Sequence, residues 1–282
     1  MIDLSAIKHF PVQTVSLVSV AASYLRWPAI ASTGIAAVLT ALLYFKQKAL
    51  IYPSNVPPNA RTEVPRPSQY NFRDYEELII PTSDGEKLSA FYIRGPRGGP
   101  NSRLTVLMFH GNAGNIGHRL PIARMLIAAA GCNVFMLEYR GYGISTGQPD
   151  EAGLNIDAQT NPTAANLSGL IIENTFLSIR KLIPSILPPA KYLSYLCHQV
   201  WPSDSLIPSI KVPTLFLSGL QDEIIPPCHM RRLYDLSRAP IKVWKPLPGG
   251  DHNSSVVEEG YFEAIAEFLE RIMAEEGKPQ KE

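Results

Sequence analysis

The chain is poor in cysteine and carries almost no net charge. Its 282 residues include three cysteines, Cys132, Cys197 and Cys228, without the paired spacing of a zinc site or a disulfide framework, so we interpret them as thiols without a metal or catalytic role. The 26 basic and 25 acidic residues leave a formal charge of +1 and no long basic run, so nucleic acid is not an expected partner. The six histidines lack metal-ligand spacing and no Rossmann or P-loop glycine pattern occurs, so neither a metal nor an organic cofactor is expected.

One long hydrophobic run lies near the N-terminus. Residues 27–45 form 19 positions without a charge, bracketed by Arg26 and by Lys46 and Lys48. At a rise of ~1.5 Å per residue, this length crosses a hydrocarbon core of about 30 Å. The run predicts a single-pass transmembrane anchor in a bilayer, with the endoplasmic reticulum or the plasma membrane as the expected location. Two alternatives stay open here: a buried helix of a soluble core, and a cleaved signal peptide in the apolar run at 11–25.

The rest of the chain has the pattern of one α/β domain. The predicted boundaries are an N-terminal segment 1–26, the anchor 27–46, a proline-rich stalk 47–72, the α/β domain 73–275 and a polar tail 276–282. For the proline-rich segment, a strap over the domain is the alternative to a stalk. A hairpin at 76–93 precedes apolar strands at 103–110, 133–138, 169–174, 213–219 and 241–247, with helical stretches between them. Strands that alternate with helices predict a mostly parallel sheet with helices on both faces. A helical stretch at about 176–207 is predicted to form a cap.

Polar and glycine-bearing stretches follow several of these strands. In open parallel sheets, functional groups gather at the carboxyl ends of the strands. Asp222 follows the strand at 213–219, and His252 follows the next strand along the chain. An acid and then a histidine in these positions match the chain order of an α/β-hydrolase triad, in which the carboxylate holds the imidazole tautomer. The loop at 110–115, HGNAGN, has the small residues that let backbone N–H groups approach an oxyanion.

Several motifs together resemble a known family. HGNAGN, EYRGYGISTG, LSGLQDEIIPP and GGDHN, with YPSNVPP after an N-terminal apolar run, are similar to the membrane-anchored α/β hydrolases of the fungal bud-emergence type. The resemblance implies a serine hydrolase that acts on a small acyl or peptide-like substrate through an ester, thioester or amide bond. It implies Asp222 as the acid and His252 as the base. It also implies that backbone amides near Asn112 and Ala113 supply half of the oxyanion hole.

The stretch GISTG at 143–147 has the spelling of a nucleophile elbow, with Ser145 at its centre. An elbow places its serine at the tip of a strand, immediately before a helix. Six residues separate Ser145 from the predicted strand end at Glu138, and Gly147 and Pro149 delay the next helix. In the family that the chain resembles, this stretch is the loop after the fourth strand. We therefore predict that Ser145 is a decoy rather than the nucleophile.

No other stretch supplies an elbow. The helix that begins near Gly153 passes through Thr160 into NPTAAN at 161–166, which leads directly into a strand that resembles the sixth strand of the family. The fifth strand, the elbow and the helix behind it are missing, a loss of roughly 30 to 45 residues by typical element lengths. Ser168, Ser178 and Ser218 lack an elbow context, and Thr175 is a poor substitute nucleophile. Direct pairing of the third strand with GLIIEN at 169–174 is one way to close the gap.

The prediction is therefore a membrane-anchored α/β-hydrolase family member that is inactive as written, because its nucleophile elbow is absent. The first explanation for the abrupt loss of sequence between 160 and 161 is a skipped exon, or coding sequence that was wrongly assigned to an intron. The alternative is a pseudoenzyme that acts as a membrane-tethered binding or scaffold module in cell polarity. A third hypothesis, activity through Ser145, requires that an active-site probe label this residue.

Overall fold

The computed structural model of the chain describes residues 17–160 and 167–276. The chain divides into two units, Met1–Lys46 and Gln47–Glu282. Helix α1, Leu17–Ile51, begins in the first unit, contains Pro28 and ends in the second. Among the described residues, no single helix meets the length and hydropathy of a membrane span, whereas the bent pair Arg26–Ala41 and Leu43–Ile51, at 45°, meets them together by length and composition only. The predicted single span at 27–45 is therefore not confirmed.

The second unit contains strands that form two sheets. Strands β1 (Tyr75–Pro81), β2 (Lys87–Ile93), β3 (Thr105–Phe109) and β4 (Asn133–Leu137) form a sheet in the order β1-β2-β4-β3. Strands β5 (Leu170–Glu173), β6 (Thr214–Gly219) and β7 (Lys242–Leu247) form a second sheet in that order. The first two strand pairs are antiparallel, and β3 with β4 and all pairs of the second sheet are parallel. The predicted α/β class with a mostly parallel sheet is confirmed.

The two sheets are not joined through hydrogen bonds between β3 and β5. In the described part of the chain, β3 pairs only with β4 and β5 pairs only with β6. The direct pairing of the third strand with GLIIEN, which the sequence left open, is therefore not formed. Every residue of β6 is buried, but none of β3 or β5 is. Each of these two strands thus has one edge without a strand partner.

One helical layer connects the two sheets. Helix α2 (Leu120–Ala130) packs against α7 (Tyr261–Glu276). Their apolar faces cover core side chains from both sheets, including Phe91 and Met136 of the first and Leu215 and Leu217 of the second. Burial of this apolar surface is the main favourable term in folding. The remaining helices are α3 (Glu151–Gln159), α4 (Ile179–Ile186), α5 (Ser203–Leu206) and α6 (Pro227–Leu236), and a 3₁₀ segment, Pro188–Leu196, follows α4.

Residues 47–72, for which the sequence left a stalk or a strap open, include a part that lies against the α/β domain. Tyr52 and Ala60 are buried there. Pro65 lies so close to Gly117 that a Cβ on this glycine would be 2.5 Å from its ring. We call residues 51–65 the strap. Between helix α1 and a 3₁₀ turn at Pro67–Tyr70 the chain forms no helix or strand, and buried side chains and hydrogen bonds hold the strap on the domain.

Candidate active site

The structure brings Asp222 and His252 together. The imidazole Nδ1 of His252 lies 2.9 Å from Asp222 Oδ2. The other carboxylate oxygen accepts hydrogen bonds from the backbone N–H groups of Ile224, at 2.9 Å, and Ile225, at 2.8 Å. The Asp222 side chain is 1% exposed and that of His252 is 27% exposed. A fixed carboxylate on Nδ1 leaves Nε2 as the basic nitrogen, which is the arrangement of the acid and base in a serine-hydrolase triad.

The loop that carries His252 is ordered by Asp251. Its Oδ1 accepts hydrogen bonds from the backbone N–H groups of Asn253, at 2.8 Å, and Ser254, at 2.7 Å. The hydroxyl of Ser254 and these two N–H groups hold the pKa of Asp251 below its usual range. Gly219 is required beside this loop, because a Cβ there would lie 2.6 Å from Gly250 O. Local geometry thus fixes the position of the histidine.

Asn174 connects three of the strand-end loops and was missed by the sequence analysis. Its Oδ1 accepts a hydrogen bond of 2.7 Å from Gly219 N, and its Nδ2 donates to Ser255 Oγ at 2.8 Å and to Asp251 O at 3.2 Å. Asn174 has a φ of 40°, in the left-handed region that asparagine tolerates better than most residues. The sequence signal that could have identified Asn174 was its position as a polar residue at the end of the apolar stretch GLIIEN. This side chain ties the loops that carry Asp222 and His252 to the end of β5.

A second carboxylate lies near the dyad. Burial raises the pKa of Glu173, although a hydrogen bond from Tyr261 and the charge of His252 oppose this shift. The Tyr261 hydroxyl donates to Glu173 Oε2 at 2.7 Å. Glu173 is the last residue of β5; protein atoms crowd its carboxyl group, while another part of the residue still reaches solvent. The site therefore contains an acidic group that the sequence analysis did not assign.

The predicted oxyanion loop contacts the strap. Asn112 Nδ2 donates to Ile51 O at 3.1 Å, and Gly114 N donates to Val56 O at 2.7 Å. The hydroxyl of Tyr142 donates to Asn112 O at 2.8 Å. Among the described residues, no acceptor is hydrogen-bonded to the backbone N–H of Asn112 or of Ala113. Unbonded amides on a fixed loop are what an oxyanion hole requires.

Behind this loop lies a buried pair of ionisable side chains. His110 Nε2 is 2.9 Å from Glu138 Oε1, and both side chains are at most 1% exposed. The other carboxylate oxygen accepts a hydrogen bond of 3.1 Å from Ile116 N. This pair fixes the start of the oxyanion loop on the end of β4. It has no access to solvent and is structural.

Ser145 lies in a different setting from the dyad. It is 1% exposed. Its Oγ accepts a hydrogen bond of 2.9 Å from Ser89 N and donates one of 3.0 Å to Glu138 O. A hydroxyl with its proton bonded to a backbone carbonyl is not activated by a base. The structure does not bring Ser145 into hydrogen-bond contact with His252.

None of the other hydroxyl-bearing candidates in the described part of the chain is hydrogen-bonded to the dyad. Ser178 Oγ accepts from Lys181 N at 3.2 Å and thereby caps α4, and Ser218 is completely buried. Thr175 donates its backbone N–H to Met230 Sδ at 3.2 Å. In the described ranges, no hydroxyl is hydrogen-bonded to His252 Nε2, and no three His, Cys, Asp or Glu side chains converge as metal ligands. The site thus presents an acid and a base without a paired nucleophile within the described chain.

Comparisons with known proteins identify the family. No protein-family model matches the chain. The chain is 40% identical to Protein bem46 of Schizosaccharomyces pombe, with 90% of this chain and 96% of that protein covered. It is 38% identical to the uncharacterized membrane protein YNL320W of Saccharomyces cerevisiae, with 82% and 92% covered. It is 33% identical to the alpha/beta hydrolase domain-containing protein WAV2 of Arabidopsis thaliana, with 87% and 94% covered.

Solved structures agree on the fold. The Pyrococcus furiosus esterase Pf2001 matches 74% of this chain and 96% of its own, with a TM-score of 0.57 at 18% identity. An α/β hydrolase from Vibrio vulnificus matches 79% of this chain and 92% of its own, with a TM-score of 0.61 at 14% identity. At this identity the likeness supports the fold alone. The sequence relatives and this fold show that the chain belongs to the bem46-type family of α/β hydrolases.

Proposed function

We propose that the chain is a membrane-associated family member with the acid and base of a serine hydrolase of esters, thioesters or amides, and that the 282-residue form does not turn over substrate. The observation that carries this proposal is the Asp222–His252 pair, which has no hydroxyl bonded to Nε2 among the described residues. In a triad, the histidine takes the proton of a nucleophile that it touches, and the carboxylate stabilises the imidazolium. Without that nucleophile, no covalent acyl intermediate forms.

The open strand edges support the loss of a central strand and its elbow. β3 and β5 each lack a partner on one edge within the described ranges, although both lie beside well-paired strands. Phe109, at the end of β3, is 40% exposed, which is unusual for the centre of an α/β sheet. A strand inserted between β3 and β5 would unite the two sheets and end close to the dyad. The predicted oxyanion loop follows β3, and Asn174 directly follows β5, so both are expected to flank this position.

The lengths of the alignments also support a deletion. The alignment with Protein bem46 runs over 288 residues and includes 90% of this 282-residue chain, about 254 residues, so about 34 aligned positions have no counterpart here. The alignment with YNL320W runs over 268 residues and includes 82% of this chain, about 231 residues, so about 37 positions are unmatched. A strand, an elbow and the helix behind it require about this length. We place the deletion between Thr160 and Asn161.

Two experiments test this function. The purified chain should neither hydrolyse a p-nitrophenyl ester nor react with a fluorophosphonate probe. We then expect hydrolysis after the segment that bem46 carries between the counterparts of Thr160 and Asn161 is grafted into the chain. Serine-to-alanine substitution in the grafted elbow, or His252→Ala, should abolish the activity. Probe labelling of Ser145 in the ungrafted chain, lost in Ser145→Ala, would contradict the proposal.

A second function is binding without turnover. Asn174 and the strap fix the loops around the dyad, and a fixed surface of this kind suits recognition of a ligand without turnover. Sequencing of reverse-transcribed RNA across the Thr160–Asn161 junction separates the alternatives. A longer product that encodes Gly-x-Ser-x-Gly would favour an active enzyme of which this chain is a shorter form. A sole product that matches this chain would favour a binding or scaffold module.

Membrane association is part of the proposal. Residues 27–45 supply the anchor, and Trp27, Ile35, Val38 and Phe45 are exposed, at 72%, 62%, 59% and 77%. A relative of this chain is named a membrane protein. Exposed apolar side chains over this length are stabilised by hydrocarbon rather than by water. The chain should stay in the membrane pellet after alkaline carbonate extraction, and its release would contradict this part of the proposal.

A further inference from the structure

The cap carries an exposed apolar surface. Ile186, Leu187, Tyr192 and Tyr195 are 57%, 46%, 72% and 67% exposed, and we call these four residues the cap ridge. Such a cluster of exposed large apolar side chains in one short segment marks an interaction site more often than isolated exposed residues do. The prediction of a cap at 176–207 did not anticipate that its apolar residues face solvent.

The cap ridge belongs to an ordered element. Leu182, Ala190 and Cys197 are buried on the inner side of the same segment. Arg180 Nε donates to Cys197 O at 2.8 Å, and α4 packs against the 3₁₀ segment that follows it. These contacts divide the segment into an inner face, which packs on the domain, and an outer face, which carries the ridge.

The charge of this segment has one sign. From residue 175 to residue 202 the sequence contains no aspartate or glutamate, whereas it contains Arg180, Lys181 and Lys191. In a chain with 26 basic and 25 acidic residues, this is a local excess of positive charge. Lys191 Nζ lies 4.7 Å from the ring centroid of Tyr192, so one of the basic groups is adjacent to an aromatic side chain of the ridge. Lys181 pairs with Asp204, which lies outside the segment.

The cap is hydrogen-bonded to the chain that directly follows the proposed anchor. The backbone N–H groups of His198 and Gln199 donate to Gln47 Oε1, at 2.8 and 3.3 Å. Gln47 is two residues after Phe45, the last residue of that anchor. The cap is therefore bonded to the chain within two residues of the proposed anchor. If that anchor lies in a bilayer, the bilayer is an available occupant of the ridge.

We propose that the cap ridge inserts into the interface of an anionic bilayer and forms a second membrane contact, distinct from the anchor. This inference rests on the membrane association proposed above. Tyrosine is favoured at membrane interfaces because its ring is apolar and its hydroxyl is polar. Ile186 and Leu187 would enter the boundary of the acyl chains, while the basic side chains attract anionic headgroups.

The test uses the full chain in vesicles with one fluorophore. In a Cys228→Ser background, Tyr192→Cys is labelled with an environment-sensitive nitrobenzoxadiazole dye. The buried Cys132 and Cys197 should stay unlabelled, so one dye per chain also reports a folded domain. The matched control is Arg97→Cys, at a position with a 91% exposed side chain beyond the end of β2, and Ile35→Cys reports the anchor.

In vesicles of phosphatidylcholine and phosphatidylserine, we expect the dye at position 192 to show blue-shifted emission and to be quenched by doxyl-labelled lipid. The dye at position 97 should show neither effect. Vesicles of phosphatidylcholine alone, or Lys191→Gln, should reduce the quenching severalfold. Quenching at position 35 but not at 192 would overturn the cap contact and leave the anchor intact. Failure at both positions would overturn both proposals. A blue shift at 192 without quenching by lipid would indicate that the ridge packs against another copy of the chain, the only protein present, and would also overturn the inference.

Discussion

The indole Nε1 of Trp201 donates a 2.7 Å hydrogen bond to the hydroxyl of Tyr52. The same hydroxyl donates to Gln199 Oε1 at 2.9 Å. Glu151, at the start of α3, accepts from the backbone N–H of Trp201 at 2.8 Å. The strap, the end of the cap and α3 are thus joined in one network. Because the strap also contacts the oxyanion loop, this network links the cap to the candidate site.

Tyr52→Phe should destabilise the domain by about 1 kcal/mol, because it leaves Trp201 Nε1 without its acceptor in a partly buried setting. Burial raises the pKa of Tyr52 well above its ordinary value, so the hydroxyl stays protonated at all physiological pH values. Urea unfolding followed by far-UV circular dichroism measures the change. Tyr195→Phe is the control, because its side chain is 67% exposed and should alter the free energy of unfolding very little. Equal effects of both substitutions would show that the network contributes nothing.

Ser145→Ala should behave as the loss of a buried structural hydroxyl. The substitution leaves the N–H of Ser89 and the carbonyl of Glu138 without their partner, at a cost of about 1–3 kcal/mol. In the grafted, active chain, kcat should stay within about twofold, because the hydroxyl touches no reacting group. Thermal unfolding and steady-state ester hydrolysis measure the two quantities. A stable variant with activity reduced by orders of magnitude would instead identify Ser145 as the nucleophile.

Asp84→Asn should destabilise the chain at neutral pH. Arg140 donates to both carboxylate oxygens of Asp84, at 2.7 and 3.0 Å. Its hydrogen bonds, with one from Thr82, lower the pKa of Asp84 from 3.8 to about 2. The folded state therefore binds this proton more weakly than the unfolded state, so the stabilisation is complete above about pH 4 and is lost as the pH falls to about 2.

Urea unfolding near pH 7 should give a lower free energy of unfolding for Asp84→Asn than for the wild type. The carboxyl ¹³C resonance of Asp84 should titrate with a midpoint near pH 2 in the folded chain. Asp235→Asn is the control, because Asp235 forms an exposed pair with Arg231 at 3.4 Å and should change stability little. A midpoint near 4 for Asp84 would show that Arg140 does not hold this carboxylate.

The sequence predicted those parts of the site that depend on strand order. Asp222 and His252 follow consecutive strands, and parallel strands bring their carboxyl ends to one edge, so their contact could be expected before the structure. The position of Ser145 outside an elbow was likewise visible in its distance from the strand end. The folded structure adds that the Ser145 hydroxyl accepts one hydrogen bond and donates another.

Contacts between segments that are distant along the chain could not be predicted. Asn174 looks like an ordinary polar strand end, and only the folded loops show that it binds Gly219 and Ser255. For the strap the sequence left two alternatives, a stalk or a segment packed over the domain, because prolines disfavour a helix but do not reveal whether the chain leaves the domain. Its placement depends on Tyr52 and its partners more than 140 residues later, a pairing with no local signal.

Gly143→Ala should be the most destabilising substitution in the GISTG stretch, and for a reason unrelated to catalysis. Gly143 has a φ of +44°, which disfavours side chains, and a Cβ there would collide with the buried carboxylate of Glu138. That carboxylate contacts His110 and cannot move without losing this partner. The backbone strain at Gly143 therefore adds to the cost of overpacking, which lowers the free energy of unfolding by about 1–3 kcal/mol. Gly99→Ala is the control, because no atom lies within 4 Å of its added Cβ and its φ is not in the left-handed region. If only Gly143→Ala lowers the unfolding temperature, packing around Glu138 accounts for the glycine in the Gly-x-Ser-x-Gly motif. Equal unfolding temperatures for the two variants would contradict this explanation.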